Sequence, residues 1–166
     1  MGNSKIDIRT DTQLEESILG CLLKDVKGLE NERVAKLNPS DFKYESHRIL
    51  FETITELYYS GNAVDTVTVV NRLKEIGKIK RDDVAYWVDG LINDNLIITS
   101  NLPAYAEKLI GYTKHNIKIR LAEDVRLGKI DISELAKAAE SERQKDYPQS
   151  DSGNAEMLRD LHQSDI

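Results

Sequence analysis

The three histidines are the residues of this chain that could most readily bind a metal ion. They are His47, His115 and His162, and none has a second metal-type ligand four residues away on a common helical face or a set of cysteines beside it. Because a zinc site needs several such ligands at close spacing, the pattern does not favour a metal site. Structural or surface histidines are the favoured interpretation, and we expect no bound metal.

Phosphate binding and nucleophilic catalysis also lack their usual motifs. Glycine-lysine pairs occur at residues 77–78 and 128–129, but neither has the upstream glycine and the following hydroxyl side chain of a nucleotide-binding loop. No Gly-x-Ser-x-Gly sequence is present. The sequence therefore predicts no catalytic residue and no cofactor-binding residue.

Paired acidic residues and a single cysteine are the remaining candidates for chemistry. Glu15-Glu16 and Asp82-Asp83 lie where helices are predicted to begin, and a helix N-terminus stabilises negative charge. Capping or solvation is therefore the favoured interpretation of both pairs. Cys21 lies among leucines on a predicted apolar face, which indicates a buried, unreactive thiol in a reducing compartment.

One local cluster of positive charge contrasts with the acidic chain. Five cations accompany a single acid, Glu75, around the end of a predicted helix; they are Arg72, Lys74, Lys78, Lys80 and Arg81. Such a cluster could contact a nucleic acid or an acidic partner. The segment 69–79 is also similar to a winged-helix recognition segment, so a DNA-binding regulator stays an alternative. A solvated basic face at a helix C-terminus is favoured.

The composition is typical of a helical protein. Of 166 residues, 40% are hydrophobic and 31% charged, with only 3 prolines and 9 glycines, which favours an all-α fold over a disordered chain. The net charge of -6 opposes strong DNA binding by this chain alone. There is no signal-peptide pattern and no apolar stretch of membrane length, so we expect a cytoplasmic protein without membrane contact.

Apolar residues at helical spacing predict a compact bundle of short helices in the first part of the chain. Thr12 and Glu15 have the spacing of a capping box, and the helix they begin should run to about Lys24. A short second helix is predicted over residues 29–37, ahead of Pro39. Three further helices have their apolar faces over residues 47–58, 69–76 and 84–92.

The next part of the chain predicts a long helix and a hairpin. Pro103 lies in the first turn and no further breaker occurs before Gly128, which gives a helix of about 25 residues. A shorter helix should begin at Asp131, and the brief connection predicts an antiparallel hairpin. We expect a helical head over residues 1–97, the hairpin over 98–145 and a linker-like tail over 146–166.

The long helix has more apolar surface than one facing helix would cover. Its apolar residues form two stripes, and excess apolar surface of this kind is typical of an interface. We therefore predict self-association through the hairpin, as a dimer or hexamer. The residues expected to carry it are Tyr112, Ile119, Leu121 and Leu135.

Several motifs occur in one order over about residues 11 to 140. They are LEESILGCLL at 14–23, LNPSDF at 37–42, HRILFE at 47–52, LYYSGNAVDTVTV at 57–69, the pair Ala85-Tyr86, and SNLPAYA at 100–106. Together they resemble the N-terminal domain of DnaB-type replicative DNA helicases. The resemblance covers nearly the whole chain, although no single motif is diagnostic.

The resemblance implies a non-catalytic collar of DNA replication rather than an enzyme. In that family, helical heads and hairpins assemble into a ring of three pairs on a hexameric motor, and this tier docks primase or, in some systems, a loader protein and regulates the motor. Self-association and a primase or helicase loader are thus the expected partners. The nucleotide-binding motif of the motor is missing here, so ATP and magnesium would belong only to a motor domain.

Two origins are compatible with this resemblance. The chain is either the N-terminal part of a larger helicase or primase-helicase, or a free-standing homologue that loads or inhibits a helicase. The linker-like residues 146–166 favour the first. Nothing in the sequence indicates which face primase would occupy.

Overall fold

The described part of the chain is built of α-helices joined by short 3-10 turns. The computed structural model describes residues 10–135, 137, 138 and 141, and no β-strand occurs among them. The predicted all-α class is confirmed.

The first helix, α1 (Thr12–Lys24), lies at the centre of the head, in contact with three other helices. Its N-cap is Asp11, whose side chain accepts a hydrogen bond from the Leu14 N–H at 3.0 Å. The predicted capping box from Thr12 is wrong, because Asp11 already caps the first turn and Glu15 faces the interior. The predicted end at Lys24 is confirmed.

The second predicted helix, over residues 29–37, is wrong. Two separate 3-10 turns, Val26–Glu30 and Val34–Lys36, occupy this region. The side chain of Asp25 accepts from the Lys27 N–H, and that of Asn31 accepts from the Arg33 N–H. Such local side-chain hydrogen bonds compete with helical ones, and they divide the segment into short turns.

The next three helices agree with the sequence analysis. They are α2 (Glu45–Tyr59), α3 (Thr66–Ile76) and α4 (Val84–Ile92). The Asp65 side chain caps α3 by accepting from the Thr68 N–H at 2.9 Å. Gly77 ends the helix with φ of 68°, a left-handed conformation that favours glycine.

The long helix, α5 (Leu102–Arg126), has 25 residues, as predicted, and its first half belongs to the head. Four side chains from this half lie in the main hydrophobic core together with residues of α1 to α4; they are Leu102, Ala106, Leu109 and Ile110. Packing thus runs across the boundary proposed between residues 97 and 98, and the division into domains stays a prediction.

The second half of α5 has a small core of its own. Ile117 and Leu121 are buried there against three partly buried side chains, Ile130, Leu135 and Ala138. The chain reverses at Gly128, where φ is 77°, and a 3-10 turn, Ile132–Glu134, brings Leu135 back to α5. The rest of the predicted second hairpin helix and the tail at 146–166 lie outside the described residues.

Candidate partner-binding surfaces

The structure places the four predicted association residues on two different faces of the hairpin. Leu121 is buried and Leu135 packs against its cluster, so both lie inside the hairpin of the chain itself. Tyr112 and Ile119 are only partly buried, and Tyr112 packs against the main core of the head. At about 100° per residue, positions seven apart share a helical face, and this face points away from Leu121. The role of all four in association stays a prediction.

A groove of about 620 Å³ follows the face that contains Tyr112 and Ile119. On its other side lie Ser40 and Lys43, from the segment that joins the 3-10 turns to α2. Leu127, at the end of the helix, is exposed and also lines the space. We call this space the α5 groove, and it combines an apolar floor with a polar edge.

The edge of the α5 groove is held in a charged state. Glu123 lines the groove. The Nε–H of Arg126 donates a hydrogen bond to the Glu123 carboxylate, with 2.9 Å between nitrogen and oxygen. This hydrogen bond lowers the pKa of Glu123 and raises that of Arg126. The pair therefore stays ionised near neutral pH and keeps this edge hydrated beside the apolar floor.

The predicted basic cluster is less positive than its sequence indicates. Arg72 donates to the carboxylates of Glu56 at 2.5 Å and Glu75 at 3.1 Å. The hydrogen bond to Glu56, then that to Glu75, raises the pKa of Arg72 and keeps the guanidinium charged but paired. Arg72 thus links α3 to α2 rather than presenting a free cation.

The other four cations of this cluster do not form one uniform patch. Lys74, Lys78 and Lys80 are exposed, whereas the guanidinium of Arg81 lies 4.6 Å from the centroid of the Trp87 ring. A cation over an indole face is an attractive arrangement. No strand follows α3 within the described residues, so the winged-helix likeness of segment 69–79 has no wing there. Partner contact by the cluster stays a prediction.

Sequence reasoning missed a buried acid at the centre of the head. Glu15 is 1% exposed and His47 is 4% exposed, and Glu15 Oε1 lies 2.9 Å from His47 Nδ1. The backbone N–H groups of Lys43 and Tyr44 also donate to Glu15, at 2.9 and 3.5 Å. The expectation that Glu15 is a capping or solvated acid is wrong, because these partners fix it inside.

A signal for this burial was present in the sequence. Glu15 shares a helical face with Ile18, Leu19 and Leu22, at spacings of three, four and seven residues. His47 is a structural histidine, stacked on the Trp87 ring at 6.1 Å between centroids. The pair is almost fully buried, with Glu15 at the inner edge of the α5 groove. Its hydrogen bonds hold the segment before α2 against α1.

The remaining candidates behave as structural residues. Asp83 caps α4 by accepting from the Tyr86 N–H at 3.0 Å, as predicted. Burial raises the pKa of the Cys21 thiol to about 11, although the charge of Lys24 lowers it slightly. Among the described residues, no group of three or more His, Cys, Asp or Glu side chains is arranged to hold a metal ion. None of the described helices is both long and apolar enough to cross a bilayer.

Comparisons with known proteins agree with one another. The family described as "DnaB-like helicase N terminal domain" matches residues 8–110. The chain is 28% identical over 107 residues to the replicative DNA helicase DnaB of Buchnera aphidicola subsp. Baizongia pistaciae (strain Bp), which covers 61% of this chain but only 22% of that relative. It is also similar to the crystal structure of the N-terminal domain of DnaB helicase from Mycobacterium tuberculosis, with 26% identity and a TM-score of 0.60, covering 80% of this chain and 95% of that one.

Proposed function

Because this chain belongs to the family of DnaB-like helicase N-terminal domains, we propose that it acts as a self-association and partner-docking module of DNA replication. The matched family is an N-terminal domain, and the nucleotide-binding motif of a helicase motor does not occur in these 166 residues. The chain spans about a fifth of the length of the Buchnera helicase, which leads us to propose a larger replicative helicase as its parent protein. A free-standing helicase loader or inhibitor is the alternative.

The observation that carries the proposal is the open face of α5. Leu121 packs inside the hairpin, while Ile119 lines the α5 groove together with Tyr112 and Ile117. Tyr112 also packs against the head core and Ile117 against the hairpin, so Ile119 is the groove residue that neither core includes. A helix that has apolar residues on a second, uncovered side is a candidate for pairing with another molecule. We propose that a second copy of the hairpin covers this face.

A mass measurement tests the proposed self-association. Light scattering of the whole chain across a concentration series should give a mass that rises above the 18.8 kDa of the monomer. Ile119→Asp should shift the mass towards the monomer at every concentration, because it places an unpaired charge in the interface.

The matched control is Ala122→Asp, which adds the same charge to the same helix at an exposed position. It should leave the concentration dependence unchanged. A strict monomer at all concentrations, or an unchanged mass in Ile119→Asp, would contradict the proposal.

We also propose a primase or a helicase loader as the docking partner, on the basis of family membership. Mixing the chain with the primase and, separately, the loader of the same organism should give a complex whose mass exceeds that of either component. If neither mixture gives a complex, the docking half of the proposal is wrong, whatever the outcome for self-association.

A further inference from the structure

A second recess lies on the head, between α1 and the outer side of α4. It has a volume of about 420 Å³, and Tyr86 and Gly90, one helical turn apart on α4, form its floor. Glu16 of α1 lies along one side and Asp94, just after α4, along another. We call this recess the α4 trough, and none of its residues belongs to the α5 groove.

The α4 trough is strongly acidic. Its carboxylates are Glu16, Asp82, Asp83 and Asp94, and its single cation is Arg81. The local excess of three negative charges is half of the net charge of the whole chain. No cation within the described residues forms an ion pair with any of the four. The trough therefore attracts positive charge.

Large apolar side chains accompany this charge. Tyr86 and Leu96 are each 76% exposed. The backbone N–H of Leu96 donates to the Asp94 carboxylate at 2.9 Å, which holds Leu96 close to the trough. Trp87 forms a wall of the trough, with the Arg81 guanidinium over its ring. Exposed aromatic residues beside a recess are typical anchors of protein interfaces.

Gly90 is a third, independent feature. Glycine inside a helix is less favourable than alanine, so it usually has a packing reason. Here a Cβ would meet no atom within 4 Å, and packing within this chain does not require the glycine. Because Gly90 has no side chain, a group of a bound partner can come close to the helix backbone at the floor of the trough.

We propose that the α4 trough docks a basic segment of a partner protein. The aliphatic stem of a lysine or arginine lies over Gly90 and beside the Tyr86 ring, its cation faces the carboxylates, and an apolar neighbour in the segment contacts Leu96. Arg81 on Trp87 already pairs a guanidinium with an aromatic wall of this trough. The inference rests on the docking half of the proposed function and is independent of self-association.

The single tryptophan of the chain, Trp87, lines the trough and reports on its occupancy. The probe is a synthetic helical peptide of twelve lysine, leucine and alanine residues with both ends blocked, and its counterpart has glutamate in place of lysine. Titrated into the whole chain, the lysine peptide should give a saturable change in Trp87 fluorescence, and the glutamate peptide none.

Two pairs of variants decide whether the trough is the site. Gly90→Leu should lower the affinity for the lysine peptide at least tenfold. Its control is Gly111→Leu, at a glycine inside α5 with equally open space, which should change this affinity less than twofold. The double variant Glu16→Gln, Asp82→Asn should lower the affinity for the lysine peptide about fivefold, since each exposed charge contributes modestly. Glu32→Gln with Glu45→Gln, at exposed positions outside the trough, is the control.

Circular dichroism verifies that each variant is folded. If Gly90→Leu unfolds, Tyr86→Ser, at an exposed position, takes its place. No saturable binding, unchanged affinity in the trough variants, or equal weakening by both charge pairs would overturn the inference. The light-scattering series keeps the two proposals apart. Loss of assembly in Ile119→Asp, together with unchanged peptide affinity in Gly90→Leu, would refute the docking site alone.

Discussion

At the scale of single residues, Glu15 is the most deeply buried acidic side chain among the described residues. Its carboxylate accepts hydrogen bonds from two backbone N–H groups and lies against His47, so one side chain joins α1, α2 and the segment between them. Burying a carboxylate without partners would be strongly unfavourable, and these contacts are what make its position stable.

We predict that Glu15→Ala lowers the free energy of unfolding by about 3 kcal/mol, because it leaves buried donors without an acceptor. Glu15→Gln should lower the free energy of unfolding by less, since the amide oxygen of glutamine can still accept hydrogen bonds from these donors. Urea unfolding followed by circular dichroism measures the difference. The control is Glu16→Ala, at the neighbouring and more exposed position, which should change the free energy of unfolding by less than about 0.5 kcal/mol. Equal losses at both positions would contradict this account.

Cys21 gives a prediction about pH. Burial raises the pKa of its thiol from 9.0 to about 11, so the folded chain holds this proton more tightly than the unfolded chain does. The corresponding stability is complete below about pH 9 and is lost as the pH rises through about 11. Between pH 8 and pH 11 the wild-type chain should therefore lose more stability than Cys21→Ala, as measured by urea midpoints; identical pH profiles would contradict the assignment.

At the scale of elements, the crossing of α1 and α4 depends on a glycine. A Cβ at Gly20 would lie 2.3 Å from Ile97 Cδ1 and 2.8 Å from the carbonyl oxygen of Leu91. The Ile97 side chain can rotate away, but the Leu91 oxygen belongs to the backbone of α4, so the two helices would have to separate.

We predict that Gly20→Ala destabilises the fold by about 2 kcal/mol through this overpacking. Gly90→Ala, on the open side of α4, should instead stabilise it by about 0.5 to 1 kcal/mol, because alanine favours the helix and meets no neighbour. Thermal unfolding of the two variants gives opposite shifts if the close approach at Gly20 is real, and shifts of the same sign if it is not.

At the scale of the whole molecule, the described residues form one large core and one small one. The head core includes the first half of α5, whereas the second half depends on a few side chains around Ile117 and Leu121. A region with so few buried apolar contacts should open more readily than the head.

We predict that hydrogen exchange is slow over α1 and α2 and faster over residues 112–135. Leu121→Ala should speed exchange in the second region, because it truncates one of the two buried side chains described there, and should leave exchange in α1 unchanged. Mass spectrometry of peptides after exchange measures both regions in one experiment. Equal acceleration in α1 would show that the two cores unfold together.

The sequence by itself determined the helical class, most helix ends and the family. Helix ends depend on side chains a few residues away, such as Asp65 with the Thr68 N–H, or on a local backbone preference, such as that of Gly77. Apolar spacing along α2 to α5 likewise reflects one face of each helix, and such signals are contained in short windows of sequence.

Only the tertiary structure decided which charges and apolar stripes are covered. Glu15 is buried because residues 28 to 32 positions away supply its partners, and Arg72 is paired because α2, 16 residues away, presents Glu56. The split between Leu121, inside the hairpin, and Ile119, beside the α5 groove, likewise depends on where the chain returns after Gly128. Contacts between segments so far apart follow from packing of the whole chain, which local spacing does not specify.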